Sequence, residues 1–263
     1  MTATTRPPVR QLLNKVPEIT IWFWVIKVLA TTVGETAADF LSNTLNLGLT
    51  NTIYLTGLLL VVALAAQIRS RQYIPALYWT TVVLISIAGT LITDQMVDGF
   101  GIALTTTAIG FSVALAVAFT VWFASERTLS IHSILTPRRE AFYWSAILFT
   151  FALGTAAGDL IAEHLNLGYW KSALLFAGAI AVVSLAFAQV RLNAVFAFWA
   201  AYVLTRPLGA SLGDYASQAR ADGGLGLGTV GTSAVFIATI LGVVIFLTTT
   251  GKDQAPAVQL EVA

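Results

Sequence analysis

The chain has 263 residues, of which 57% are hydrophobic and only 10% charged, with a formal net charge of +1 and no cysteine. Ordinary soluble domains carry about 25% charged residues, so this sequence cannot cover a globular surface with polar groups and belongs in a bilayer. The near-neutral balance gives no sign of a nucleic-acid partner, and the lack of cysteine removes disulfides, thiolate metal sites and cysteine nucleophiles.

In chain order, residues 1–17 carry basic residues but no apolar run followed by a cleavage site, so they read as a cytoplasmic tail rather than a removable signal peptide. Spans are then expected at 18–42, 50–68, 73–98, 101–124, 140–164, 169–190, 193–217 and 227–250. The runs Ile53 to Ile68, Ile102 to Ala124, Ser172 to Val190 and Val230 to Thr248 are free of charge. Each approaches or reaches the roughly 20 residues that cross a ~30 Å hydrocarbon core.

The first span holds a pattern that returns three times. Trp24, Trp79, Trp144 and Trp199 are each followed ten residues later by Gly34, Gly89, Gly154 and Gly209, and fifteen residues later by Asp39, Asp94, Asp159 and Asp214. The Trp spacings are 55, 65 and 55, so the chain reads as a duplicated duplication: four repeats, each a helical hairpin, in two halves. With two spans per repeat, the four Trp helices cross in one direction, which makes these parallel rather than inverted repeats. The expected halves are 18–126 and 140–250, joined by a cytoplasmic linker at 127–139 that contains His132 and Pro137, with a cytoplasmic C-terminal tail at 251–263. Repeats one and three share the turn Leu45-Asn46-Leu47-Gly48 and Leu165-Asn166-Leu167-Gly168, which suits a tight helix end.

Orientation follows from the basic residues. The tails and the loops between repeats hold Arg6, Arg10, Lys15, Arg69, Arg71, Arg127, Arg138, Arg139, Arg191 and Lys252, whereas the loops inside repeats hold Lys171 and Arg220. Ten against two places both termini in the cytoplasm of a bacterial inner-membrane protein. The Trp residues, near the cytoplasmic starts of their helices, are expected to anchor at the interface.

The four Trp, with the Gly and Asp that follow each, give the chain a family likeness. It resembles the bacterial integral-membrane family of unknown function built from four tandem repeats, each with two transmembrane segments and a characteristic tryptophan, over about residues 15 to 250. The resemblance implies architecture and no particular activity.

The charges inside the odd-numbered spans are the functional signal. Lys27, Glu35, Asp39, Asp94, Asp159, Arg206 and Asp214 lie within them, with Asp98, Glu163 and His164 near the same ends. Intramembrane ionisable groups cost about 2.5 to 3.5 kcal/mol each even on the lenient insertion scale, so they are rare unless they face a bundle interior and serve a function. Positions seven, eleven, fifteen and nineteen after each Trp form one i, i+4 stripe, which includes Thr90 and Thr155 as well as the acidic groups. Gly34/Ala38, Gly89/Thr93, Gly154/Gly158 and Gly209/Gly213 are small-xxx-small pairs, which let these helices approach closely.

These features lead to a transporter whose acidic cluster, Glu35, Asp39, Asp94, Asp159 and Asp214, binds a cation, with Asp98, Glu163, Thr90 and Thr155 as secondary groups and Lys27 and Arg206 as counter-ions. Neutralising five carboxylates against two cations needs bound cations, protons or both. Oxygen ligands without cysteine favour a hard metal ion of the Mg or Mn kind, held by the same five carboxylates. The expected partners are membrane lipid, a small cation and protons, with no cofactor and no nucleic acid, and an oligomer of the same chain stays open. Two alternatives remain: an organic or zwitterionic solute bound through Arg206, or a structural protein whose carboxylates are merely hydrated at the interface. No nucleophile-base motif, phosphate loop or pair of metal-binding histidines supports an enzyme.

Overall fold

The computed structural model describes residues 15–253. Among these described residues there are eight long helices: α1 (Ile21–Asp39), α2 (Gly48–Arg69), α3 (Pro75–Asp94), α4 (Leu104–Glu126), α5 (Pro137–Asp159), α6 (Tyr169–Val190), α7 (Ala194–Ser217) and α8 (Gly228–Thr250). All eight are long and apolar enough to cross a membrane, so this is an all-α multi-pass membrane protein. The helix ends fall within three residues of the expected spans once the wider turns that extend α1, α3 and α5 are included. Most of the two tails, with Arg6 and Arg10, lies outside the described residues.

Local chemistry sets the boundaries. Proline occupies the first turn of α3 and α5, where its missing N–H costs nothing. The Asn193 side chain caps α7 by accepting from the backbone N–H groups of Val195 and Phe196 at 3.0 and 3.1 Å. In the two matching turns Asn46 and Asn166 both adopt φ 54°, the left-handed conformation that asparagine tolerates better than most residues. On the tail side the segment before α1 meets the one after α8: the Glu18 N–H donates to the Asp253 carbonyl at 3.0 Å, and the Tyr73 hydroxyl donates to the Asp253 carboxylate at 2.5 Å. Burial, and then this bond, hold the Tyr73 phenol well above its ordinary titration range, so it stays a donor.

The helices form two concentric layers. The Trp helices α1, α3, α5 and α7 pack in a closed ring, each against the next, with α7 returning to α1. In the membrane-like windows of these inner helices 56–67% of residues are buried, against 11–28% in α2, α4, α6 and α8, which therefore face lipid. An outer helix packs chiefly on the inner helix of the following repeat: α2 on α3, α4 on α5, α6 on α7, and α8 on α1. Each repeat thus completes its neighbour, and the last completes the first.

Two side-chain devices close the ring. Each Trp meets the aromatic residue that precedes the Trp of the previous repeat: Trp79 with Phe23, Trp144 with Tyr78, Trp199 with Tyr143 and Trp24 with Phe198, at centroid distances of 5.5 to 6.1 Å. Such pairs add about 0.5–1.5 kcal/mol each beyond the burial of their area. Trp79, Trp144 and Trp199 are consequently buried at 2–5% exposure, which corrects the expectation that they anchor at the lipid interface. The Trp199 indole N–H also donates to the Leu129 carbonyl at 2.9 Å and so fixes the linker between halves.

The second device is the shared glycine. A Cβ on Gly34, Gly89, Gly154 or Gly209 would lie 2.5, 2.7, 2.5 or 2.6 Å from the Cβ of Ser86, Phe151, Arg206 or Thr31, far inside normal contact. Each of those four partners stands seven residues after the Trp of the next repeat. The close approach expected from the small-xxx-small pairs is therefore present, and its consequence is specific: glycine makes room for the neighbour's axial side chain.

Candidate functional site

Because i and i+4 share a helix face, the positions spaced by four from each Trp stack into layers about 6 Å apart along the axis of the ring. One residue before the Trp come Phe23, Tyr78, Tyr143 and Phe198; three after it come Lys27, Val82, Ile147 and Tyr202; seven after come Thr31, Ser86, Phe151 and Arg206. These twelve side chains are all buried. Eleven after the Trp stand Glu35, Thr90, Thr155 and Ala210, also buried, and fifteen after it stand Asp39, Asp94, Asp159 and Asp214. Asp214 is buried and the other three are half-buried, so the axis opens at the aspartate end and is filled toward the tail side.

Arg206 sits at the centre. It is fully buried, and one of its terminal nitrogens donates to Glu35 at 2.8 Å, to the Thr155 hydroxyl at 2.6 Å and to the Thr90 hydroxyl. The other donates to the Thr31 carbonyl at 3.3 Å. From α7 this one side chain therefore reaches α1, α3 and α5, which is possible only on the axis. Glu35 accepts additionally from Thr90 at 3.3 Å. The pair obeys the rule that a buried charge needs a hydrogen-bonded partner, and it explains why the equivalent positions in repeats two and three are threonine.

The aspartate layer lies one turn beyond this pair. Asp39, Asp94, Asp159 and Asp214 follow Glu35, Thr90, Thr155 and Ala210 by four residues on the same helix faces. The five carboxylates thus stand on four helices at one end of the ring. They are not a compact coordination sphere: among the described residues no three Asp, Glu or His groups converge closely enough to share a metal ion. The five carboxylates expected as direct metal ligands therefore do not surround one point in this conformation, because they hang from four different walls of the ring, Glu35 and Asp39 sharing α1.

Three further expectations are changed. Lys27 makes no ion pair with the cluster among the described residues. It stands eight residues before Glu35 on the same helix, about 12 Å lower, and its side-chain nitrogen lies 4.1 and 4.2 Å from the ring centroids of Phe151 and Tyr202. Its nitrogen has no hydrogen-bond partner among the described residues. Asp98 and Glu163 do not continue the stripe. The helices pass into five-residue π turns at Phe40–Thr44, Gln95–Gly99 and Leu160–His164, and the wider turn rotates these side chains off the i, i+4 line into exposed positions. Glu163 there accepts from the Tyr169 hydroxyl at 2.9 Å, and exposed His164 makes no metal group with it.

Two elements were overlooked in the sequence. The Tyr78 and Tyr143 hydroxyls bond to each other at 2.5 Å in the lowest layer, beneath Lys27. The signal for that layer was present, since an aromatic precedes every one of the four Trp. The other is a buried ion pair, Lys15 with Glu140 at 2.8 Å, in which Lys15 also donates to the Ile68 carbonyl at 2.9 Å. It ties the entry of α1 to α2 and α5, and a separation of 125 residues carries no sequence signal.

Comparison with known families matches the chain four times to the family described as Repeat of Unknown Function (DUF347), over residues 22–73, 77–128, 142–192 and 197–253. The chain belongs to that family, with four tandem copies of its repeat. Searches of curated proteins and of solved structures give no significant match.

Proposed function

We propose that this member of the four-repeat family transports a small hard cation across the bacterial inner membrane, along the axis between its inner helices and in exchange for protons. The observation that carries the reading is the position of Arg206: one fully buried guanidinium touches all three other inner helices directly below a layer of four aspartates. A structural role would need neither the four separate carboxylates nor a charge at the narrowest point.

The chemistry follows from the layers. Five carboxylates against the one cation that pairs with them leave four negative charges when all are ionised, which only bound cations or protons can neutralise. Since the carboxylates are too dispersed to replace a complete hydration shell, the cargo they suit keeps much of its water. Mg²⁺ behaves in this way, being held by one or two carboxylates with several waters retained. A cation at the aspartate layer competes with Arg206 for Glu35. Once Glu35 is taken, the guanidinium loses its anion and the plug is weakened. Below it, the buried Lys27 side chain and the aromatic layer with Tyr78 and Tyr143 keep the other half shut, so entry and exit are separate steps and a continuous pore is avoided.

The test is flux in reconstituted liposomes with an internal pH-sensitive dye. Mg²⁺ or Mn²⁺ added at the aspartate side should drive proton release, and Asp→Asn at position 39, 94, 159 or 214 should remove it while the protein stays folded. Parent-like flux in all four variants, or no proton movement with any cation, would sink the reading.

A further inference from the structure

Two grooves on the lipid-facing surface occupy equivalent places in the two halves. One lies between α3 and α8 at Trp79 and has a volume of about 240 Å³; the other lies between α4 and α7 at Trp199 and has about 700 Å³. Inner-helix positions in the same register line both: Thr80, Val83 and Leu84 in the first, Ala200, Val203 and Leu204 in the second. The walls of both are almost wholly apolar. They differ at the mouth. Among the described residues the groove at Trp79 has no charged lining, whereas Arg127 and Asn193 stand at the tail-side end of the groove at Trp199.

Arg127 is exposed, has φ 56° at the end of α4, and no salt bridge engages it among the described residues. Its neighbourhood is basic. Glu126, the residue before it, is already held by Arg139 at 2.7 Å and Arg138 at 3.5 Å and makes no salt bridge to Arg127, whose charge therefore stays unneutralised among the described residues. From Asn193 to Leu204 the groove descends eleven residues, roughly 16 Å of helix, close to the ~15 Å half-thickness of the hydrocarbon core. Its volume lies within the ~300–1,000 Å³ of small-molecule sites.

We propose that this groove is a binding site for one anionic phospholipid of the leaflet on the tail side, with an acyl chain along α4 and α7 and its phosphate on Arg127. Charge complementarity, depth and the absence of a basic residue from the companion groove together select this occupant. Basic pockets between membrane helices are known to take anionic head groups. Because Leu129 and Trp199 both line the groove and the Trp199 indole bonds the Leu129 carbonyl, a lipid there bears directly on the linker between halves. The site is independent of the transport reading.

Native mass spectrometry of the full chain in detergent, with phosphatidylglycerol and phosphatidylcholine added in competition, provides the test. The parent should retain one phosphatidylglycerol in preference. Arg127→Gln, at an exposed position, should lower that preference about fivefold, the worth of one basic residue at a membrane surface. Ala200→Phe, which fills the groove, should abolish retention, whereas Thr80→Phe in the companion groove should leave it unchanged. Equal retention of the two lipids by the parent, an Arg127→Gln variant that matches the parent, or loss with Thr80→Phe would show annular lipid only. A dimer that forms without lipid and disappears with Ala200→Phe would assign the groove to a second copy of the chain, and equally overturn the proposal.

Discussion

The Glu35–Arg206 pair can be interrogated without knowing the cargo. Glu35→Gln keeps the shape and most of the hydrogen bonding to Thr90 but leaves a guanidinium with 0% exposure and no anion at 2.8 Å. Removing one partner of a buried pair costs about 3–5 kcal/mol, because the remaining charge stays desolvated, whereas replacing both by apolar groups of similar volume is often neutral. Arg206→Met alone is the milder change, since Glu35 keeps 8% side-chain exposure and the Thr90 hydroxyl. The double variant should be more stable than Glu35→Gln alone, with a coupling energy on the order of 2 kcal/mol or more. Reversible unfolding in mixed micelles, followed by tryptophan fluorescence, supplies the cycle. Additive effects, or a Glu35→Gln cost under about 1 kcal/mol, would mean that the pair is hydrated and that Arg206 does not plug the axis.

Other outcomes follow from single contacts. Gly154→Ala forces a methyl against the Cβ of Arg206 and should lower the thermal midpoint clearly, while Gly178→Ala, with open space around it, should be neutral or stabilise by up to about 1 kcal/mol; equal midpoints would mean that the inner helices are less closely packed than described. Lys27→Met removes a buried side-chain nitrogen that has no hydrogen-bond partner among the described residues, so stability should hold or rise, and a loss as large as that of Glu35→Gln would reveal an anionic partner. Reporter fusions after Arg69 and after Arg191 should both report the cytoplasm, given the ten-to-two basic bias; a periplasmic signal at either refutes the orientation.

The architecture was legible because duplication wrote it four times. Trp, Gly and Asp at fixed intervals gave the number of spans, their direction and the helix faces that meet, and the structure adds how they meet: each glycine receives the side chain seven residues after the next Trp. The stripe of four-residue spacing also placed Glu35, Thr90, Thr155 and Arg206 together, although they come from four helices. Its outer end failed at Asp98 and Glu163, since a π turn leaves no mark that periodicity can detect. The setting of Lys27 was not legible because hydropathy registers a charge and not its surroundings, and the two rings that flank it arrive from α5 and α7. The Lys15–Glu140 pair depends on where the outer helices dock, which no local pattern encodes.

The central claim, that the axis is the route and the Arg206 layer its barrier, can be measured directly because the chain contains no cysteine. Single cysteines at Ala210, level with Glu35, and at Val82, below Arg206, replace side chains with 0% exposure. Their rates of reaction with a membrane-impermeant maleimide should be compared in vesicles of known orientation, with and without Mg²⁺. The account predicts slow labelling of both without the cation, and with it a rise at Val82→Cys for reagent applied from the aspartate side. Labelling of Val82→Cys that is fast without cation, or that no cation changes from either side, would contradict it.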